Sequence, residues 1–154
     1  MQYIFQDHPA LAPETANAFY EISLRWAAEH GTAFVLTMYP RDYGRAADIE
    51  RFAALGAATW MHRPGEEVVE VIGAVGEELV DTLFESLMPM GAITGDLCPV
   101  GDLRVMRGQR TLYRVSEYGR DQVFELTDDE LAALGARLFE AGLGAELLAP
   151  MPLH

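Results

Sequence analysis

Residues 103–126, LRVMRGQRTLYRVSEYGRDQVFEL, decide the fold class. Three strands are predicted here, near 103–107, 110–116 and 121–126, with turns at Gly108 and Gly119. Branched and aromatic residues alternate with polar ones, and glycine supplies the backbone freedom that each turn needs. The stretch that follows changes period. Thr127 and Glu130 form a Thr-x-x-Glu capping box, and Asp128 and Asp129 sit where a helix start favours negative charge. Leu131, Leu134, Leu138 and Phe139 are the expected buried face, Gly142 ends the helix, and 145–149 add an edge strand.

Upstream, Glu77 to Met88 reads as an amphipathic helix: Leu79, Val80, Leu83, Phe84, Leu87 and Met88 recur at helical spacing until Pro89. Before it, residues 58–62 and 67–73 predict two strands joined by Arg63-Pro64-Gly65-Glu66, in which proline presets one turn angle and glycine allows the other. A helix marked by Ile49, Phe52 and Ala53 ends at Gly56, and Ala33 to Met38 is a short apolar run expected as a buried strand. Residues 2–6 suggest a first strand, and Pro13, Phe19, Ile22 and Trp26 mark a helix that stops at Gly31. This opening β-α-β unit predicts at least one parallel strand pair. The class is therefore α/β in the α+β sense: a single acidic globular domain spanning 1–154, with a mixed β-sheet and about four helices packed against it.

Half of the 154 residues are hydrophobic, enough for a core without disulfides or metal. Cys98 is the lone cysteine, which excludes an intrachain disulfide and a paired-thiol metal site. The N-terminus lacks the basic and apolar regions of a signal peptide, and no apolar run approaches the roughly 20 residues that span a bilayer, so a cytoplasmic location is expected. The net charge of −13 lies outside the roughly 2 to 8 units usual for a small domain. Such a charge repels nucleic-acid backbones and anionic membranes and attracts basic proteins. All eleven positive charges are arginine, which removes Schiff-base chemistry and a P-loop lysine.

Chemical motifs are few. No zinc-protease, serine-elbow, Walker or calcium-loop pattern occurs, and Ser23 and Ser86 fall in predicted helices. The glycine turn from Val71 to Glu77 runs strand, loop, helix, but Glu77 and Glu78 would repel a phosphate there, and a plain tight turn is expected. Cys98 lies in a Gly/Pro-rich loop at 89–102, where a reactive thiolate would need a base that its neighbours Asp96 and Asp102 do not supply. The four histidines follow no metal-ligand spacing, and Trp26 and Trp60 are read as core or half-core aromatics. No catalytic residue, metal site or cofactor is assigned.

Charge distribution is the signal that remains. Between Arg63 and Arg104 lie nine acids and no base. Glu77, Asp81 and Glu85 follow one another at i, i+4, a like-charge spacing that costs an isolated helix about 0.2–0.5 kcal/mol per pair. Glu77, Glu78, Asp81, Glu85, Asp96 and Asp102 are the candidate partner-binding residues, with Leu97 and Val100 as apolar anchors in the loop. Arg104, Arg107, Arg110 and Arg114, followed by Arg120, form the opposite cluster and an alternative anion-binding site for a carboxylate or phosphate.

The expectation is a non-enzymatic protein-binding module that inhibits a basic partner such as a bacterial toxin or nuclease, in the manner of an immunity protein or antitoxin. The alternative is a small-molecule (anionic-ligand) binding domain or small enzyme with its pocket near Arg104–Arg120. Oligomeric state is left open.

Overall fold

The computed structural model describes residues 1–5, 12–43, 46–85, 98, 100–119 and 121–152. Eight strands form one sheet: β1 (Gln2–Phe5), β2 (Ala33–Met38), β3 (Ala57–Arg63), β4 (Glu66–Ala74), β5 (Asp102–Arg107), β6 (Arg110–Ser116), β7 (Asp121–Glu125) and β8 (Leu148–Pro150). Among the described residues four α-helices accompany them: α1 (Pro13–His30), α2 (Ala46–Ala53), α3 (Glu77–Glu85) and α4 (Asp128–Glu140). The α+β class is present and each expected helix and strand has a counterpart, with the last edge strand beginning at Leu148 after a short turn of helix at Ala145–Leu147. The sheet order is β3-β4-β2-β5-β6-β7-β1-β8.

Every pairing in this sheet is antiparallel. The parallel pair expected from the opening β-α-β unit is therefore not formed. β1 and β2 do run in the same direction, but β7, β6 and β5 lie between them. The crossover through α1 sets strand direction. Adjacency is set instead by hairpins, whose two-residue turns pair successive strands directly: Pro64-Gly65 joins β3 to β4, with Gly65 at φ 84°, and Gly108-Gln109 joins β5 to β6, with Gly108 at φ 63°.

One face of the sheet carries the core. Phe5, Phe34, Leu36, Val69, Val71, Leu103, Val105, Tyr113 and Phe124 are buried with Phe19, Leu24 and Trp26 of α1 and Leu79, Val80 and Leu83 of α3. α1 lies centrally, against β5 and β6 and between α3 and α4. The alternating residues point to the other face, where Val35, Thr37, Asp102, Arg104 and Ile72 are half-buried or exposed. A bulge between Val105 and Met106 lets Leu112 and Tyr113 both be buried.

Two aromatic placements differ from expectation. Trp26 is fully buried, but Trp60 on β3 is 52% exposed, and Phe139 on α4 is 80% exposed. Leu131, Leu134 and Leu138 do form the inner face of α4. At about 100° per residue, Phe139 falls far enough round the helix from Leu138 to leave that stripe. β3 is the edge of the sheet, so one side of Trp60 has no neighbouring strand to pack on. Asp96, Leu97, Arg120, most of the loop at 89–102 and the expected helix beyond Glu85 lie outside the described residues.

Candidate functional site: an acidic helix and a split arginine cluster

α3 begins directly after Gly76, and its amphipathic spacing decides what each side presents. Leu79, Val80 and Leu83 turn into the core, while Glu77, Glu78, Asp81 and Glu85 are all exposed. The helix is held by its apolar side against α1: Phe84 packs edge-on against Tyr20 with ring centroids 5.6 Å apart, and the Arg25 guanidinium sits 5.2 Å over the Phe84 ring. Arg51 of α2 approaches Glu85 at 3.6 Å. Glu77, Glu78 and Asp81 form no ion pair among the described residues. Four carboxylates thus share one solvent-facing helix side with a single arginine between them and neutrality.

Asp102 does not belong to this surface. It lies on β5 with its side chain on the face of the sheet opposite to the helices, where Arg114 binds it at 2.7 Å. Val100 is fully buried and cannot serve as an exposed anchor. The six expected partner-binding residues therefore reduce to four that the structure brings together, one it places elsewhere, and Asp96, which is outside the described residues.

The arginine cluster is divided in two. Arg104 and Arg114 are directly opposite each other on β5 and β6, and Asp102 serves both, at 3.9 Å from Arg104 Nε and 2.7 Å from Arg114 Nη2. Like charges directly opposed across strands destabilise a sheet, and the shared carboxylate offsets that repulsion. They border a shallow depression of about 360 Å³ with Gln2, Thr111, Val123, Glu125 and Met151. Arg104 Nε and Asp102 Oδ1 are buried against each other, 3.9 Å apart, without a hydrogen bond.

Arg107 and Arg110 are used differently. Arg110 donates from both Nη atoms to the two carboxylate oxygens of Glu130, each at 2.9 Å, and Arg107 lies 3.9 Å from the same group. Glu130 is also the capping-box residue: it accepts from the Thr127 backbone N–H, while its own N–H donates to the Thr127 hydroxyl. Burial pushes the Glu130 carboxyl up, but Arg110 and the Thr127 donors together outweigh that and hold it at about 2. Arg110 thus ties the β5–β6 hairpin to the start of α4 and is not available as a ligand group.

Cys98 is buried beside two buried tyrosines. Burial, and then Cys98, raise Tyr20 and Tyr113 well above the ordinary phenol range. The Tyr113 hydroxyl donates to Gln122 Oε1. Among the described residues no group of three His, Cys, Asp or Glu side chains converges as metal ligands would. His30 stacks on Trp26 with its Nδ1 against the Trp26 carbonyl, and His62 sits 3.5 Å from Glu67.

Sequence reasoning missed the exposed aromatics and the role of Glu130 as a partner for arginine. Helical angle alone would have found Phe139. Nothing local distinguishes Trp60 from an inward-facing strand residue, because strand order makes it an edge.

Fold and surface together define, among the described residues, an α+β protein with one eight-stranded antiparallel sheet, helices on one face, and an acidic helix in that layer. No family model, no curated protein and no solved structure matches this chain.

Proposed function

We propose that this protein is a non-enzymatic binding module that inhibits a basic protein partner, of the kind a bacterial toxin or nuclease presents, with the exposed side of α3 as the docking surface. The observation that carries this reading is the four exposed carboxylates of Glu77, Glu78, Asp81 and Glu85 on one helix, with Arg51 the one base in ion-pair range of them among the described residues and Arg25 turned onto the Phe84 ring. Such a uniform face is mildly unfavourable for the helix itself. It creates a field that steers a basic partner and accelerates association at low salt. Nuclease active sites are basic because their substrates are polyanions, so an acidic helix can occupy one and exclude the substrate.

The test uses the wild-type protein and a Glu78→Lys/Asp81→Lys variant as parallel baits, at about 0.05 M and about 0.5 M salt. A basic protein held by the wild type at low salt, released by salt, lost by the variant and catalytically silenced by the wild type supports the reading. Retention of the same proteins by both baits overturns it.

A second reading is favoured by Arg104 and Arg114, opposed on adjacent strands and bordering one open-face depression: a small carboxylate or phosphate ligand bound beside these two arginines. Calorimetric titration with inorganic phosphate and with citrate tests it. Saturable binding that disappears in Arg104→Gln supports an anion site; the absence of heat with both ligands removes it.

A further inference from the structure

The two edges of the sheet are unlike each other. β8 is three residues long and ends in Pro150, the kind of short, proline-blunted edge that resists further pairing. β3 is seven residues long, pairs with β4 in unbroken register from Ala57–Ile72 to Arg63–Glu66, and contains no proline and no bulge. Six of its seven residues are exposed, and no described strand covers its outer side. Trp60 sits at its centre. Trp60, on the helix-bearing face, and Ile72 of the adjacent strand, on the open face, are two of the five exposed large hydrophobic residues among the described residues, so each face of this edge carries an apolar side chain where the backbone hydrogen-bonding groups are also unpaired.

We propose that β3 pairs with β3 of a second copy of this chain, antiparallel about a two-fold axis at Trp60, joining two sheets into one continuous sheet. The occupant is argued from charge and register. In a chain of net charge −13, β3 itself has no acidic residue, so it is a place where two copies can approach. With Trp60 opposite Trp60, Arg63 faces Ala57 of the other copy and His62 faces Ala58. No like charges meet, and the small Ala57 leaves room for the arginine stem to lie over Ile72. The two tryptophans become a cross-strand aromatic pair on the helix-bearing face. A second copy also presents this edge already ordered, without the entropy cost of straightening a loose peptide. Seven residues of edge pairing is a small interface, so the dimer is reversible and concentration-dependent.

Its salt response is opposite to that of docking to a basic partner. Screening weakens the repulsion between two acidic copies, so self-association strengthens with salt. Sedimentation velocity from about 1 to about 500 μM and from about 0.05 to about 1 M salt reads the association. The expected result is a shift from 17.0 kDa to twice that mass, favoured by salt. Tryptophan emission moves to the blue with it, because Trp26 is already buried and Trp60 alone changes environment. Register is tested at one exposed position: Ala57→Arg opposes Arg63 and weakens the dimer by about tenfold or more, and Ala57→Glu pairs with Arg63 and tightens it. A monomer under all these conditions overturns the proposal and leaves the edge to an extended segment of another protein. A dimer indifferent to both Ala57 variants also overturns it.

Discussion

Arg110 and Glu130 meet as a two-pronged pair, Nη1 on Oε1 and Nη2 on Oε2, both at 2.9 Å, and the same carboxylate closes the capping box of α4. One side chain therefore joins a β-hairpin to a helix start. Glu130→Ala removes both roles and is expected to destabilise by about 3 kcal/mol, because the partly buried Arg110 loses its carboxylate and keeps only the Glu125 carbonyl, at 3.4 Å. Glu130→Gln keeps a capping partner and should cost less. Chemical denaturation of the two variants checks the order.

The same carboxylate sets an acid limb. Its folded value, about 2, is depressed from 4.5, so its contribution is fully present above pH 4.5 and is lost as the pH falls toward 2. Wild type minus Glu130→Gln, measured as unfolding free energy against pH, should shrink across that window. A flat difference would show that the pair does not act.

At the alkaline end the buried phenols of Tyr20 and Tyr113 are raised, so the native state holds their protons longer than the unfolded chain does. Their contribution is complete below pH about 10 and declines above it. Absorbance at high pH should show both ionising only as the protein unfolds. Tyr113→Phe leaves Gln122 Oε1 without its donor and is expected to cost about 1–3 kcal/mol.

Neighbouring residues at the end of α4 should behave in opposite ways. Leu138 is buried, and Leu138→Ala is expected to cost about 2–5 kcal/mol; Phe139 is 80% exposed, and Phe139→Ser should change stability by less than about 0.5 kcal/mol. Thermal melts of the pair are sufficient.

Gly56, which leads into β3, illustrates a steric requirement. A Cβ there would sit 2.3 Å from the Ile72 carbonyl oxygen, a backbone atom with little room to move. Gly56→Ala should therefore destabilise by more than about 2 kcal/mol, and Gly76→Ala, which meets nothing within 4 Å, should be neutral. Urea midpoints separate the two.

Much of this molecule was decided locally. The Thr127–Glu130 cap, the Pro64-Gly65 and Gly108 turns, and the apolar stripe Leu79-Val80-Leu83 act through neighbours within a few residues, and their spacing announces hairpins, helices and an exposed acidic side on α3. The α+β class follows from those elements. What only the tertiary structure decided is adjacency. Strand order separates β1 from β2 despite their common direction and leaves Trp60 on an edge. It puts Asp102 on the face away from α3, and it divides four arginines between Asp102 and Glu130. The reason is physical: periodicity depends on geometry within one element, whereas an edge, an ion pair or a shared surface depends on which distant segment packs alongside, and short-range pattern carries no record of that.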